Sequence, residues 1–293
     1  MPHPDTSLSP RDLAAAIGVS ESSLKRWVDS GLLTASRTTG GHRRIALREA
    51  IRFIRKSKSP IVQPDLLGIP GASVPASRSA SVDPGADLCS ALFRDDAREA
   101  RAIILGRYLA GDGVAAIGDA LIGPALNRVG DAWREGPQAI LMEHRAVDTC
   151  VHVLHELRSL LPVPAADAPA AMSAAGPGDP YMIPPALASL TLLEAGYQAN
   201  NVGPLTPMPV LHQGLVRYRP RILTLSVSAP EHGIDCPGLI DLARSMTAAG
   251  GHLLIGGRCV RALPAKARPY LIETASMAEL GAFARGALSA AAR

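Results

Sequence analysis

Residues 9–31 read SPRDLAAAIGVSESSLKRWVDSG, and this stretch decides the fold of the N-terminal part of the chain. Ser9 followed by proline is typical of a helix start, and apolar residues then recur at helical spacing as far as Gly18. After a tight turn, Ser20 starts a second helix that ends at Gly31. Two short helices joined by a tight turn are typical of a helix-turn-helix.

The residues that follow predict a hairpin and a third helix. Leu32–Leu33 and Ile45 are expected to pair, and the tip between them reads TTGGHRR, residues 38–44, which combines flexible glycines with two arginines. Residues 47–56 have the pattern of another helix. We therefore predict a winged helix-turn-helix domain over residues 1–58.

The charge is concentrated in this part of the chain. The whole chain of 293 residues has a formal charge of +4. Residues 1–60 contain 11 Lys and Arg against 5 Asp and Glu, whereas the remainder contains 19 against 21. A basic module joined to a slightly acidic one is expected of a phosphate-binding domain with a separate partner domain.

The segment resembles the MerR family of transcription regulators, in which a helix-turn-helix is followed by a wing reading Gly-Gly-His-Arg, here Gly40 to Arg43, and by another helix. The resemblance implies binding to a double-stranded DNA operator. The residues expected to contact DNA, from the second helix and the wing, are Ser22, Ser23, Lys25, Arg26, Arg37, His42, Arg43 and Arg44. The alternative is that the basic helices are only a solvated surface.

The remaining chain predicts two further domains. Residues 59–86, rich in proline, glycine and serine, are interpreted as a linker, and residues 87–160 carry apolar residues at helical spacing, which indicates a helical bundle. From residue 170 to residue 293, strand and helix patterns alternate, which indicates a doubly wound parallel sheet. The predicted fold is thus multidomain, α and α/β.

The bundle and the α/β domain together resemble the sensor of CarH-type light-sensing repressors. The spacing Trp-x9-Glu-His, here Trp133, Glu143 and His144, is similar to that of the bundle covering the upper face of cobalamin in that family. The resemblance implies that Trp133 and Glu143 cradle an adenosyl group and that His144 ligates cobalt after photolysis. The alternative for all three is an ordinary role in the core or on the surface.

The α/β domain resembles the cobalamin-binding domain, whose motifs are Asp-x-His-x-x-Gly, then Ser-x-Leu or Ser-x-Thr, then Gly-Gly. The matching cofactor-binding residues are Asp179, Tyr181, Ser226, Ser228, Gly256 and Gly257. Tyr181 stands where the family places the histidine that ligates cobalt, and Pro184 replaces the glycine. Three states stay open: adenosylcobalamin bound without a lower histidine, another tetrapyrrole such as haem or biliverdin, or no chromophore.

These patterns lead to one main hypothesis and two alternatives. The main one is a non-enzymatic, ligand- or light-responsive repressor whose sensor changes the oligomer, a dimer or tetramer, and so changes operator binding. The first alternative is a chromophore-free regulator whose sensor-like domain only mediates oligomerisation or protein binding. The second is a corrinoid-dependent methyltransferase component. We expect a cytoplasmic protein without membrane contact, because no apolar run reaches the length of a membrane span.

Overall fold

The computed structural model describes residues 7–69, 83–131, 136–229, 235–263 and 265–291. The chain divides into two compact units, one formed by residues 1–113 and 120–162 and the other by residues 114–119 and 163–293. Among the described residues, no helix is long and apolar enough to cross a membrane.

The first unit begins with two short, capped helices, α1 (Pro10–Ala16) and α2 (Glu21–Asp29). The Ser9 hydroxyl accepts a hydrogen bond from the Asp12 N–H at 3.1 Å, and the Asp12 carboxylate accepts one from the Ser9 N–H at 3.3 Å. Ser20 caps α2 by accepting from the Ser23 N–H at 3.1 Å. Both serines therefore begin helices where the sequence predicts them.

A three-stranded antiparallel sheet lies beside these helices. Its strands β1 (Ser7–Leu8), β2 (Ser36–Arg37) and β3 (Arg43–Ala46) have the order β1-β3-β2. The prediction that Leu32–Leu33 pairs with Ile45 is wrong, because Ile45 pairs with Leu8. Leu33 instead closes the end of α2, where its N–H donates to the Trp27 carbonyl at 3.2 Å.

Part of the predicted linker is folded. Residues 64–67 form a 3₁₀ turn, and the N–H groups of Val62 and Gln63 donate to the Ala16 carbonyl at 2.8 and 3.2 Å. Leu67 and Ile69 are fully buried, so burial of these apolar side chains holds the segment against α1. The linker prediction is therefore wrong for residues 59–69 and for residues 84–86, which begin a helix, whereas residues 70–82 lie outside the described part of the chain.

Helix α3 (Leu47–Ser57) joins this N-terminal part to the bundle helices, which are α4 (Pro84–Phe93), α5 (Ala97–Leu109), α7 (Gly123–Asp131) and α8 (Pro137–Leu160). The Arg48 Nε–H donates to the Ser159 carbonyl at the end of α8 at 2.9 Å. Arg55 donates to the Asp112 carbonyl at 2.8 Å, and its guanidinium carbon lies 3.7 Å from the centre of the Tyr108 ring. Two arginines of α3 thus bind carbonyls at the ends of bundle helices.

A buried ion pair fastens the bundle itself. The Arg101 guanidinium of α5 donates to both carboxylate oxygens of Glu156 in α8, at 2.7 and 2.5 Å. Because Glu156 is buried, its negative charge would destabilise the fold if the Arg101 guanidinium were removed.

The second unit contains a five-stranded parallel sheet. Its strands are β4 (Ala170–Ala175), β5 (Gln198–Gly203), β6 (Ile222–Ser226), β7 (His252–Gly256) and β8 (Ile272–Glu273), in the order β5-β4-β6-β7-β8. This order confirms the predicted doubly wound sheet, to which the structure adds the two-residue β8. The chain leaves β4 in one direction and β6 in the other, which creates a crevice between their carboxyl ends.

Helices cover both faces of the sheet. They are α6 (Val114–Ile117), α9 (Ile183–Glu194), α10 (Met208–Tyr218), α11 (Cys236–Ala248) and α12 (Met277–Ala291). Helices α10 and α11 pack on the face that presents Leu223, Leu225 and Ile255, and α9 and α12 pack against each other. The buried sheet thus fixes the positions of the loops at its carboxyl edge.

Candidate functional site

Asp179 joins two loops at the carboxyl edge of the sheet. It follows β4, is only 3% exposed, and accepts hydrogen bonds from the Ser228 N–H at 2.6 Å and from the Tyr181 N–H at 3.0 Å. Burial raises the pKa of the Asp179 carboxyl, and these two N–H groups, with the Arg258 charge, lower it by a smaller amount. The carboxylate is therefore satisfied within the protein.

The other two predicted motifs lie beside Asp179. The hydroxyl oxygens of Ser226 and Ser228 are both buried and 3.2 Å apart. Gly257 has φ +113°, and a Cβ on it would lie 2.4 Å from the Val227 carbonyl oxygen, so only glycine fits there. The structure thus brings together the aspartate, serine and glycine motifs that the sequence placed at this edge.

Tyr181 is partly exposed beside this polar cluster and contacts Arg258. Its side chain is 36% exposed, and the Arg258 guanidinium carbon lies 4.9 Å from the ring centre. This cation–π contact gives the ring a partner within the protein. The chain therefore has tyrosine at the position where the Asp-x-His motif has histidine.

The two histidines described in the second unit each contact another side chain of that unit. His212 in α10 approaches Asp241 of α11, with Nε2 and Oδ2 3.3 Å apart. His252 begins β7, at the amino end of that strand, and contacts the Phe283 ring edge-on. Within the described ranges, no group of three or more His, Cys, Asp or Glu side chains could hold a metal ion. None of the described residues that line this edge is a histidine.

A crevice opens between the loops that follow β4 and β6, at the point where the chain direction switches. Its cavity volume is about 20 Å³, and it is lined by Gly176, Pro177, Asp179, Met208, Ser226 and Asp235. Ligands of doubly wound sheets bind at this point of the topology.

Exposed apolar side chains lie near the carboxyl ends of β4 and β5, and the sequence pattern did not reveal them. Met182 is 46% exposed, Leu205 is 54% exposed and Val202 is 38% exposed. All three lie in or beside the loops that follow β4 and β5. The only sequence signal was their position after a strand, which does not reveal exposure.

The bundle residues predicted for the upper face of a ligand are described only in part. Trp133 lies outside the described residues. Glu143 is half-buried and His144 is exposed, both near the start of α8. Their role in holding a cofactor, and that of His144 as a metal ligand, stay predictions.

The predicted DNA-contacting residues lie mostly on the surface. Six of them are exposed, namely Ser22, Lys25, Arg26, Arg37, His42 and Arg44. Ser23 is half-buried and accepts from Arg26 at 3.3 Å. Arg43 is half-buried and bound to Asp29 of α2 at 2.6 Å, so it holds the hairpin on α2 rather than facing solvent.

Comparison with known proteins adds evidence on the fold alone. No protein-family model and no curated protein matches the chain. The monomethylamine corrinoid protein of Methanosarcina barkeri is a structural match with 17% identity and a TM-score of 0.51, covering 68% of this chain and 96% of that chain. The shared fold is that of a corrinoid protein. The cobalamin-binding-like α/β domain is therefore shown as a fold.

Two further solved structures match less well. The methanol:cobalamin methyltransferase complex of Methanosarcina barkeri is 13% identical, with a TM-score of 0.35 and coverage of 69% of this chain and 78% of that chain. A cobalamin-binding protein of Desulfitobacterium hafniense is 15% identical, with a TM-score of 0.33 and coverage of 69% and 97%.

Proposed function

We propose that this chain is a transcription regulator that binds DNA through its N-terminal part and a corrinoid through the carboxyl edge of its parallel sheet. The observation that carries the proposal is the combination, in one chain, of a corrinoid-protein fold with exposed cationic side chains on the N-terminal helix pair and hairpin. About a third of the chain lies outside the match to the corrinoid protein, and we assign DNA binding to the N-terminal part.

The distribution of partners among the arginines supports DNA binding. The arginines Arg48 and Arg55 of α3 bind carbonyls of the bundle and stabilise the unit. Arg37 and Arg44, by contrast, flank the hairpin tip and are exposed, as is Arg26 on α2. Exposed cationic side chains are suited to phosphate oxygens.

The sheet edge suits a corrinoid held without a histidine below cobalt. The loops carrying Ser228 and Gly257 provide polar backbone at the edge, and Tyr181 and Met182 provide exposed apolar surface for a flat ring. A corrinoid supplies cobalt–carbon chemistry that light can start. The contribution of this chain is to bind and orient the ring. We propose that a change of oligomer links this binding to DNA, because DNA-binding domains joined in one oligomer bind adjacent sites with higher avidity.

An absorption spectrum tests the corrinoid part. The full chain is incubated in the dark with adenosylcobalamin, haem or biliverdin in separate samples, desalted, scanned and illuminated. We expect a retained corrinoid band that changes with light, and no band from the other two. Retention of haem or biliverdin instead would change the ligand class, and colourless protein in every sample would favour a chromophore-free regulator.

A second candidate is a corrinoid carrier in methyl transfer, favoured by the match that spans 96% of the monomethylamine corrinoid protein. Such carriers use the lower histidine, which Tyr181 replaces here. In the test, the corrinoid-loaded, reduced chain is mixed with a methylamine and the methyltransferase that uses it. Formation of methylcobalamin is measured by its absorption. We expect no methylation, whereas turnover would favour the carrier.

A further inference from the structure

Leu205 has an unusual backbone conformation. Among the described residues, four that are not glycine have positive φ: Lys58, Asp95, Leu205 and Arg219. Lys58 and Arg219 end helices α3 and α10, and Asp95 follows the end of α4, where a left-handed residue is common. Leu205, with φ +52°, lies in the loop between β5 and α10 and ends no helix.

The side chain of Leu205 gains little from this conformation. The left-handed region is disfavoured for a residue with a Cβ, and for leucine no polar side-chain hydrogen bond offsets the cost. Burial does not offset it either, because Leu205 is 54% exposed. A strained residue that the packing of the protein does not explain is a reason to look for a function.

The backbone around Leu205 is held by the loop that carries Asp179. The Leu205 N–H donates to the Asp179 carbonyl at 2.8 Å, and the Thr206 N–H donates to the Ala175 carbonyl at 3.0 Å. Thr206 is buried, and its hydroxyl donates to the Gly203 carbonyl at 3.0 Å. These bonds keep the Leu205 side chain on the surface beside the carboxyl ends of β4 and β5.

We propose that Leu205 is a ligand-contacting residue, whose strained backbone presents an apolar side chain to the flat face of the corrin ring. This inference rests on the proposed function and deepens it. The exposed side chain of Leu205, which follows β5, and that of Met182, which follows β4, would then be covered when the corrinoid binds.

The test compares Leu205→Gly, Leu205→Asn and the matched control Arg219→Gly with the unchanged chain. Gly and Asn tolerate positive φ, so each Leu205 variant should raise the melting temperature of the corrinoid-free chain, by about 2–4 °C for Gly. Both should weaken dark binding of adenosylcobalamin about tenfold, equivalent to about 1.4 kcal/mol. Arg219→Gly should raise the melting temperature similarly and leave that binding unchanged, because it ends α10 away from the edge.

The outcomes separate this inference from the proposed function. An unchanged chain that retains no adenosylcobalamin overturns both. An unchanged chain that binds it, with Leu205→Gly and Leu205→Asn binding equally well, overturns this inference alone. A fall in melting temperature in both variants would also overturn it, since Leu205 would then stabilise the unliganded fold. A smaller oligomer with unaltered corrinoid binding would assign the residue to contact with a second copy.

Discussion

The N-terminal helix pair and the carboxyl edge of the sheet use their predicted polar residues in opposite ways. Around α2 and the hairpin, Arg26, Arg37 and Arg44 are exposed. At the sheet edge, Asp179 is buried and bound to two backbone N–H groups. Polar residues that match a ligand motif can therefore be either a surface for a partner or the internal frame of a loop, and burial with full hydrogen bonding distinguishes the two.

The largest effect is expected from Asp179→Ala, which tests the framing role. The substitution removes the acceptor of the Ser228 and Tyr181 N–H groups, one of them fully buried, and should lower the free energy of unfolding by about 3 kcal/mol. Urea unfolding measures it. Asp235→Ala is the matched control, because Asp235 only caps α11 through the Gly238 N–H and should cost about 1 kcal/mol. Equal losses in the two variants would contradict the framing role.

The next effect concerns DNA. Replacing Arg26 and Arg44 together by alanine should weaken binding of a duplex by about tenfold to a hundredfold and reduce the salt slope by about 2, because two phosphate contacts disappear. Fluorescence anisotropy across a salt series measures both. The control pair, Arg94→Ala with Arg145→Ala, removes the same charge from exposed ion pairs of the bundle. Equal weakening by both pairs would mean that only net charge matters.

The smallest effect is a pH dependence at Asp179. Burial raises the pKa of its carboxyl in the folded chain, so the folded state binds more protons between the ordinary value of about 3.9 and the raised one. The stability from this group is fully present below the ordinary pKa and falls as pH rises through the raised pKa. Relative to Asp179→Asn, the unchanged chain should thus lose stability across that window. A constant difference between the two would show that the pKa of Asp179 is not raised.

Much of the fold could be predicted because its signals are local. Ser9 and Ser20 begin helices whatever surrounds them, and the strand-helix alternation from β4 to β7 follows from hydrophobic patterning. The pairing of Leu8 with Ile45 joins residues distant in sequence, so the helix pattern could not reveal it. β8 has only two residues, too few to show a period.

The site was predictable in composition and not in the roles of its residues. The sequence identified Asp179, the serines and the glycine pair at one edge, because parallel strands end at the same edge. It did not show that Asp179 is already satisfied, that Tyr181 faces Arg258, or that Arg43 is bound to Asp29. The φ of Leu205 depends on the bonds that the Asp179 loop makes to its backbone, which no local pattern encodes.

The central claim is that one chain couples corrinoid binding to DNA binding. The most direct measurement selects duplexes from a randomised pool with the full chain in the dark, then titrates the selected duplex with and without adenosylcobalamin and after illumination. We predict a specific duplex whose affinity changes at least about tenfold with corrinoid or light, a coupling of about 1.4 kcal/mol. Failure to enrich any duplex, or an affinity that is identical under all three conditions, would contradict it.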